Sequence, residues 1–149
     1  MILVPPFLKE NPLASIDKQQ LINPPGTEAV YKRMQFSQAV RVGDTLWVSG
    51  QTGIDENWKA AEGIENQARL AFQGLERIIK AAGGTLDDIV ELVTYHTSMK
   101  DIRGFSKVKA EFIPADYPAW TAVGVTELVI PELLVEVRAT VVIGSGQKG

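Results

Sequence analysis

Glu136 and Arg138 stand two residues apart in Leu133 to Ile143, a run whose alternation predicts a strand, so both side chains leave the same sheet face. The guanidinium can take an anionic ligand or pair with Glu136, and the pair is the expected arrangement because it needs no ligand. Trp120 can stack on a ligand or act as a packing residue that plugs a pocket. His96, the single histidine, would titrate near neutral pH, but its setting among Thr94, Tyr95 and Thr97 is that of a hydrogen-bonded structural residue. Gly50 and Gly53 permit a close approach of backbone amides to a ligand, or only turn geometry at a strand end. Asp87 and Asp88 form a carboxylate pair whose expected role is a solvated turn. No Walker sequence, dinucleotide fingerprint or nucleophile elbow is present, which leaves phosphate-cofactor and serine-hydrolase chemistry without support.

Composition narrows the chemistry further. The chain has 149 residues, 45% of them hydrophobic and 22% charged, the size and balance of one soluble domain with its own core. A formal charge of -3 without a dense basic run argues against nucleic acid as a partner. Without cysteine there is no disulfide, thiolate nucleophile or Cys-ligated zinc, and one histidine rules out a multi-His metal site. Met1 to Phe7 has no basic flank or sustained apolar core and carries Pro5 and Pro6, so neither a signal peptide nor a membrane span is expected. A cytoplasmic location is the expectation.

The elements that must position these residues follow from periodicity and punctuation. Residues 1–20 read as an irregular arm, which Pro24-Pro25-Gly26 closes, and residues 145–149 read as a flexible tail. Between them, residues 21–144 read as one domain. Phe36 to Val42 and Thr45 to Ser49 are strand-like and separated by Gly43-Asp44, which predicts a hairpin. Ile64, Ala68, Ala71, Phe72, Leu75, Ile78, Ile79 and Ala82 recur at helical spacing before the stop Gly83-Gly84. Ile89 to Thr97 reads as a strand, and Ile102, Phe105, Val108 and Phe112 mark a second helix ended by Pro114. Trp120 to Thr126 and Leu133 to Ile143 complete a β-β-α-β-α-β-β order, an α+β domain with both helices on one face of a mixed sheet. Leu46, Val48, Val123, Val125, Val135 and Val137 cannot all face the helices or water, so association through the bare face is expected.

Six segments resemble, in order and at matching spacing, the Rid family, also called YjgF, small trimeric proteins that hydrolyse reactive imines. They are Phe36-Ser37-Gln38-Ala39-Val40, Val48-Ser49-Gly50-Gln51, Gln67 to Leu75, Ala81 to Val90, Pro118-Ala119 and Val135-Glu136-Val137. The stretch Phe112 to Thr121 is more similar to the divergent YjgH-type branch. The resemblance implies a chorismate-mutase-like fold and a homotrimer whose three sheets close into a central barrel, with a small-organic-ligand pocket in each interface cleft and no cofactor. It also implies roles, position by position. The family arginine that grips a substrate carboxylate is replaced by Trp120, and a pocket tyrosine is replaced by Phe36. Glu136 matches the glutamate that holds the attacking water, while Gly50, Gln51 and Thr121 match substrate-positioning segments. Arg138 stands where the family commonly has a second acid. Two readings stay open: an imine or enamine hydrolase with an altered substrate and little activity on small 2-imino acids, or a non-catalytic trimer that binds a small molecule between Trp120 and Phe36. Ribonuclease activity, a label some relatives carry, has little chemistry in an acidic chain with a lone histidine.

Overall fold

The structure, a computed structural model, describes residues 17–146. The arm predicted over residues 1–20 therefore lies mostly outside the described residues, as does the end of the tail. The predicted hairpin forms from β2 (Ala39–Val42) and β3 (Thr45–Thr52), joined through Gly43 at φ 58° and Asp44. Phe36 to Gln38 are not part of it: Gln35 takes the left-handed region at φ 59°, and the chain enters β2 only at Ala39. At the other end β3 runs past Ser49 to Thr52, because a bulge carries the strand through its glycine.

Two elements precede the hairpin that periodicity did not reveal, β1 (Gln20–Ile22) and α1 (Glu28–Met34). Three residues are too few to show alternation, and α1, seven residues long with none of them buried, is too short for a helical period to stand out. What supports α1 is local: Glu28 in its first turn and Lys32 and Arg33 in its last complement the helix dipole.

The long helix α2 (Ile64–Ala81) is the centre of the core. Its predicted stripe is buried, and Phe72 stacks on Phe105 at 5.8 Å and Phe112 at 5.2 Å, both from α3 (Ile102–Phe112). Gly83 at φ 89° ends α2, and the N–H of Gly84 donates to the Ile79 carbonyl. With β4 (Ile89–His96), β5 (Ala119–Gly124) and β6 (Val135–Val142), the sheet runs in the order β1-β2-β3-β6-β4-β5. Only β4 and β5 pair in parallel; the other neighbours are antiparallel. Both long helices cover the same face, as their mutual stacking and the burial of alternate strand residues require. No helix among the described residues is long and apolar enough to cross a membrane.

The uncovered face exists, but not with the residues predicted for it. Leu46, Val48, Val135 and Val137 are all buried on the helix side, because Leu46 and Val48 sit in register with Val141 and Ala139. The bare face instead carries Val40, Trp47, Val93, Tyr95 and Val123 beside Glu136 and Arg138. Val123 alone of the predicted strand set is on it. The turn at Asp87-Asp88 also differs from its reading as solvated. Asp88 is buried and accepts from the N–H groups of Thr85 at 3.0 Å and Gly146 at 2.9 Å, so the residues after β6 are tied back to the start of β4.

Candidate functional site

A bulge in β3 creates the site. Val48 pairs with Ala139 and Gln51 with Val137, so two residues, Ser49 and Gly50, stand opposite the single Arg138. The extra residue brings the backbone of Gly50 under the side chain of Glu136. A Cβ on Gly50 would lie 2.7 Å from Glu136 Cδ and collide with its Oε1, so any other residue there would push the carboxylate out of this position. Ser49 fixes the neighbouring loop: its hydroxyl donates to the Ser37 carbonyl at 2.7 Å, and its N–H donates to the Gln38 carbonyl at 2.9 Å. Those two bonds, with Asn23 Oδ1 accepting from the Gln38 N–H at 3.0 Å, hold Phe36 at the rim.

The result is a groove of about 480 Å³ on the bare face of the sheet, lined by Phe36, Gly50, Glu136 and Arg138 of the predicted residues. Val40, Trp47, Val48 and Ser49 also line it and were not among the predicted ligand-binding residues. Trp47 was findable, since it pairs with Val40 and shares the face of Thr140 and Arg138 through strict alternation. Burial raises the Glu136 carboxyl above its ordinary value. The expected ion pair does not form: the four salt bridges among the described residues involve neither Glu136 nor Arg138. Both charges are left to face the groove.

Three predicted residues are placed elsewhere within the chain. The Gln51 side chain turns under α2, where it donates to Gln38 Oε1 at 3.1 Å and to the Ser49 carbonyl at 3.1 Å, in space left by Gly74. It braces the bulge from behind. Trp120 is in register with Leu92, and Leu92 with Ala139, so it leaves the helix face of the sheet, opposite to Glu136. Its indole N–H donates to Thr94 Oγ1 at 2.9 Å, and its ring packs 5.8 Å from Phe105. Thr121 has the parity of Arg138, two strands away across Val93, and is exposed beyond the groove. His96 is fully buried, with Nε2 2.7 Å from Thr94 Oγ1 and its ring edge against Phe105, and burial lowers its pKa. A larger cleft of about 740 Å³, between Leu86, Val90, Tyr117 and Ser145, contains none of the predicted residues.

A six-stranded mixed sheet with helices on one face and a carboxylate groove on the other defines the α+β, chorismate-mutase-like class. Residues 26–143 match the Endoribonuclease L-PSP family, and the chain belongs to that family, the Rid or YjgF family. It is 41% identical over 107 residues to the RutC family protein YjgH of Escherichia coli K12, covering 70% of this chain and 82% of that one. It is 33% identical over 110 residues to a 2-iminobutanoate/2-iminopropanoate deaminase of Dermatophagoides farinae, covering 72% and 85%. Among solved structures, Rv2704 of Mycobacterium tuberculosis, described as a member of the YjgF/YER057c/UK114 family, superposes with a TM-score of 0.75 at 28% identity, covering 85% of this chain and all of that one.

Proposed function

We propose that the protein is an imine or enamine hydrolase of the Rid type, with an altered substrate, working as a homotrimer. Family membership supports the deaminase-type chemistry. The observation that carries the reading is Glu136: a carboxylate with no salt bridge among the described residues, raised by burial, over a glycine in a groove that Phe36 walls and Arg138 charges. Glu136 accepts a proton from water as the water oxygen adds to the imine carbon and passes it to the nitrogen, giving a carbinolamine; the carbinolamine hydroxyl then loses its proton to Glu136, which hands it to the same nitrogen as the C–N bond breaks, so that ammonia leaves and the carbonyl forms. A raised pKa suits a base that must later return its proton.

The trimer is supported by the exposed aromatic and aliphatic side chains that surround the groove, Trp47 and Val123 among them. Since Trp120 and Glu136 leave opposite faces of one sheet, Trp120 can wall the groove only from a second copy. On this reading Trp120, standing where the resemblance expects a carboxylate-gripping arginine, makes that wall apolar and selects against small 2-imino acids. The test is ammonia release from imines generated in situ from amino acids ranging from alanine to aromatic ones, with Glu136→Ala alongside. Release that depends on Glu136 and rises with side-chain size supports the reading. Unchanged release in Glu136→Ala sinks it, and saturable binding with a flat ammonia trace makes the protein a binder.

A further inference from the structure

Lys109, on α3, carries its ammonium over two rings of the segment that opens β5. Nζ lies 4.8 Å from the ring centroid of Trp120 and 5.5 Å from that of Tyr117. The neighbouring lysine on α3, Lys107, meets Glu65 at 3.3 Å. Among the described residues no carboxylate pairs with Lys109. A ring face attracts a cation only weakly at an exposed site and leaves its charge uncompensated. The lysine stem is thus positioned, while the head keeps N–H donors for an anion.

Both rings are anchored and both present surface. The Trp120 indole is held by Thr94 Oγ1 at 2.9 Å, and the Tyr117 hydroxyl donates to the Pro114 carbonyl at 3.2 Å. Tyr117 is nevertheless 70% exposed and Trp120 37%. Fixed aromatic surface beside a fixed, unpaired cation matches a planar apolar body that bears a negative group.

We propose that Lys109, Trp120 and Tyr117 form a binding site for an aromatic carboxylate, with the ligand ring against the exposed aromatic surface and its carboxylate on Lys109. The site stands without any claim about catalysis. Its consequence for substrate class, that the hydrolysed imine carries an aromatic body and a carboxylate, rests on the function proposed above.

Phenylacetate and its uncharged counterpart phenylacetamide test the site on the full chain. Titration calorimetry gives the two affinities, and the indole N–H resonance of Trp120, identified by its loss in Trp120→Phe, reports where binding occurs. The expected result is a preference of ~10-fold or more for phenylacetate, with the Trp120 resonance shifting; Lys109→Gln removes the preference and Lys109→Arg keeps it. Equal affinity for the two probes, absence of phenylacetate binding, a preference that survives Lys109→Gln, or one removed by Arg138→Gln instead, each overturns the proposal. Because binding is read without turnover, a flat ammonia assay leaves this test intact.

Discussion

Along β6 the side chains alternate between two environments. Val135, Val137, Ala139 and Val141 are at most 1% exposed against the helices, whereas Glu136, Arg138, Thr140 and Val142 are half-buried on the opposite face. The helix face is filled by close packing of α2 and α3, and among the described residues its buried side-chain polar atoms have partners except His96 Nδ1. On the groove face, Glu136 and Arg138 form no salt bridge among the described residues. One strand therefore buries its odd-numbered residues in the core and, on the function proposed above, offers its even-numbered ones for chemistry, so the two properties should respond to different substitutions.

The strongest way to break that division is at its extremes. Phe72 is fully buried between Phe105 and Phe112, so Phe72→Ala should cost about 3–5 kcal/mol of unfolding free energy by urea denaturation. Trp47, 44% exposed on the groove face, should behave differently. Trp47→Ser is expected to leave amide exchange in α2 slow while lowering the sedimentation mass from that of the proposed trimer to that of a single chain. Loss of α2 protection in Trp47→Ser would show that the two faces are one energetic unit.

A second test concerns the polar part of the helix side. Burial pushes the Asp88 carboxyl up, but bonds from the N–H groups of Gly146, Thr85 and Gly144 outweigh it and hold the carboxyl below its ordinary value. A depressed folded-state pKa stabilises above the unfolded value, about 3.9, and that contribution fades as pH falls through the folded value. Asp88→Ala should thus cost about 1–3 kcal/mol at neutral pH by leaving buried donors unmet. The difference from the unmodified chain should shrink only below about pH 4. A difference constant down to pH 2 would mean the carboxylate is not the group that matters.

How much of this was legible in the sequence follows from what each feature depends on. The hairpin, α2, α3 and the long strands carry strong periodicity, and their ends shifted by a few residues where a turn residue decided the boundary, as Gln35 did for β2. Glu136 and Arg138 on one face followed from a period of two and needed no contacts. Their failure to pair did not, because pairing depends on rotamers rather than on spacing. The bulge at Ser49-Gly50 shifts register by one residue and so reassigns faces, which parity counting within a single strand cannot detect. The face of Trp120 within its own chain, opposite to Glu136, is set by register with Leu92, a partner remote in sequence. Asp88 looked solvated because its donors at Gly144 and Gly146 come from the far end of the chain.

The smallest expected effect sits on the groove face and bears directly on its chemistry. Burial alone raises the Glu136 carboxyl, so its ionised form carries a desolvation cost in the folded chain. That cost is fully present above the folded pKa and absent below the ordinary glutamate value of about 4.3. Glu136→Gln should accordingly raise Tm slightly at pH 7, and the gain should vanish as pH falls below that ordinary value. The same group must be ionised to act as a base. The acidic limb of kcat/KM for ammonia release should therefore turn over at a higher pH than a solvent-exposed glutamate would give. A stability gain in Glu136→Gln with no such limb would separate the strain on Glu136 from any role in catalysis, and the groove would then be a binding surface whose cost is borne for affinity.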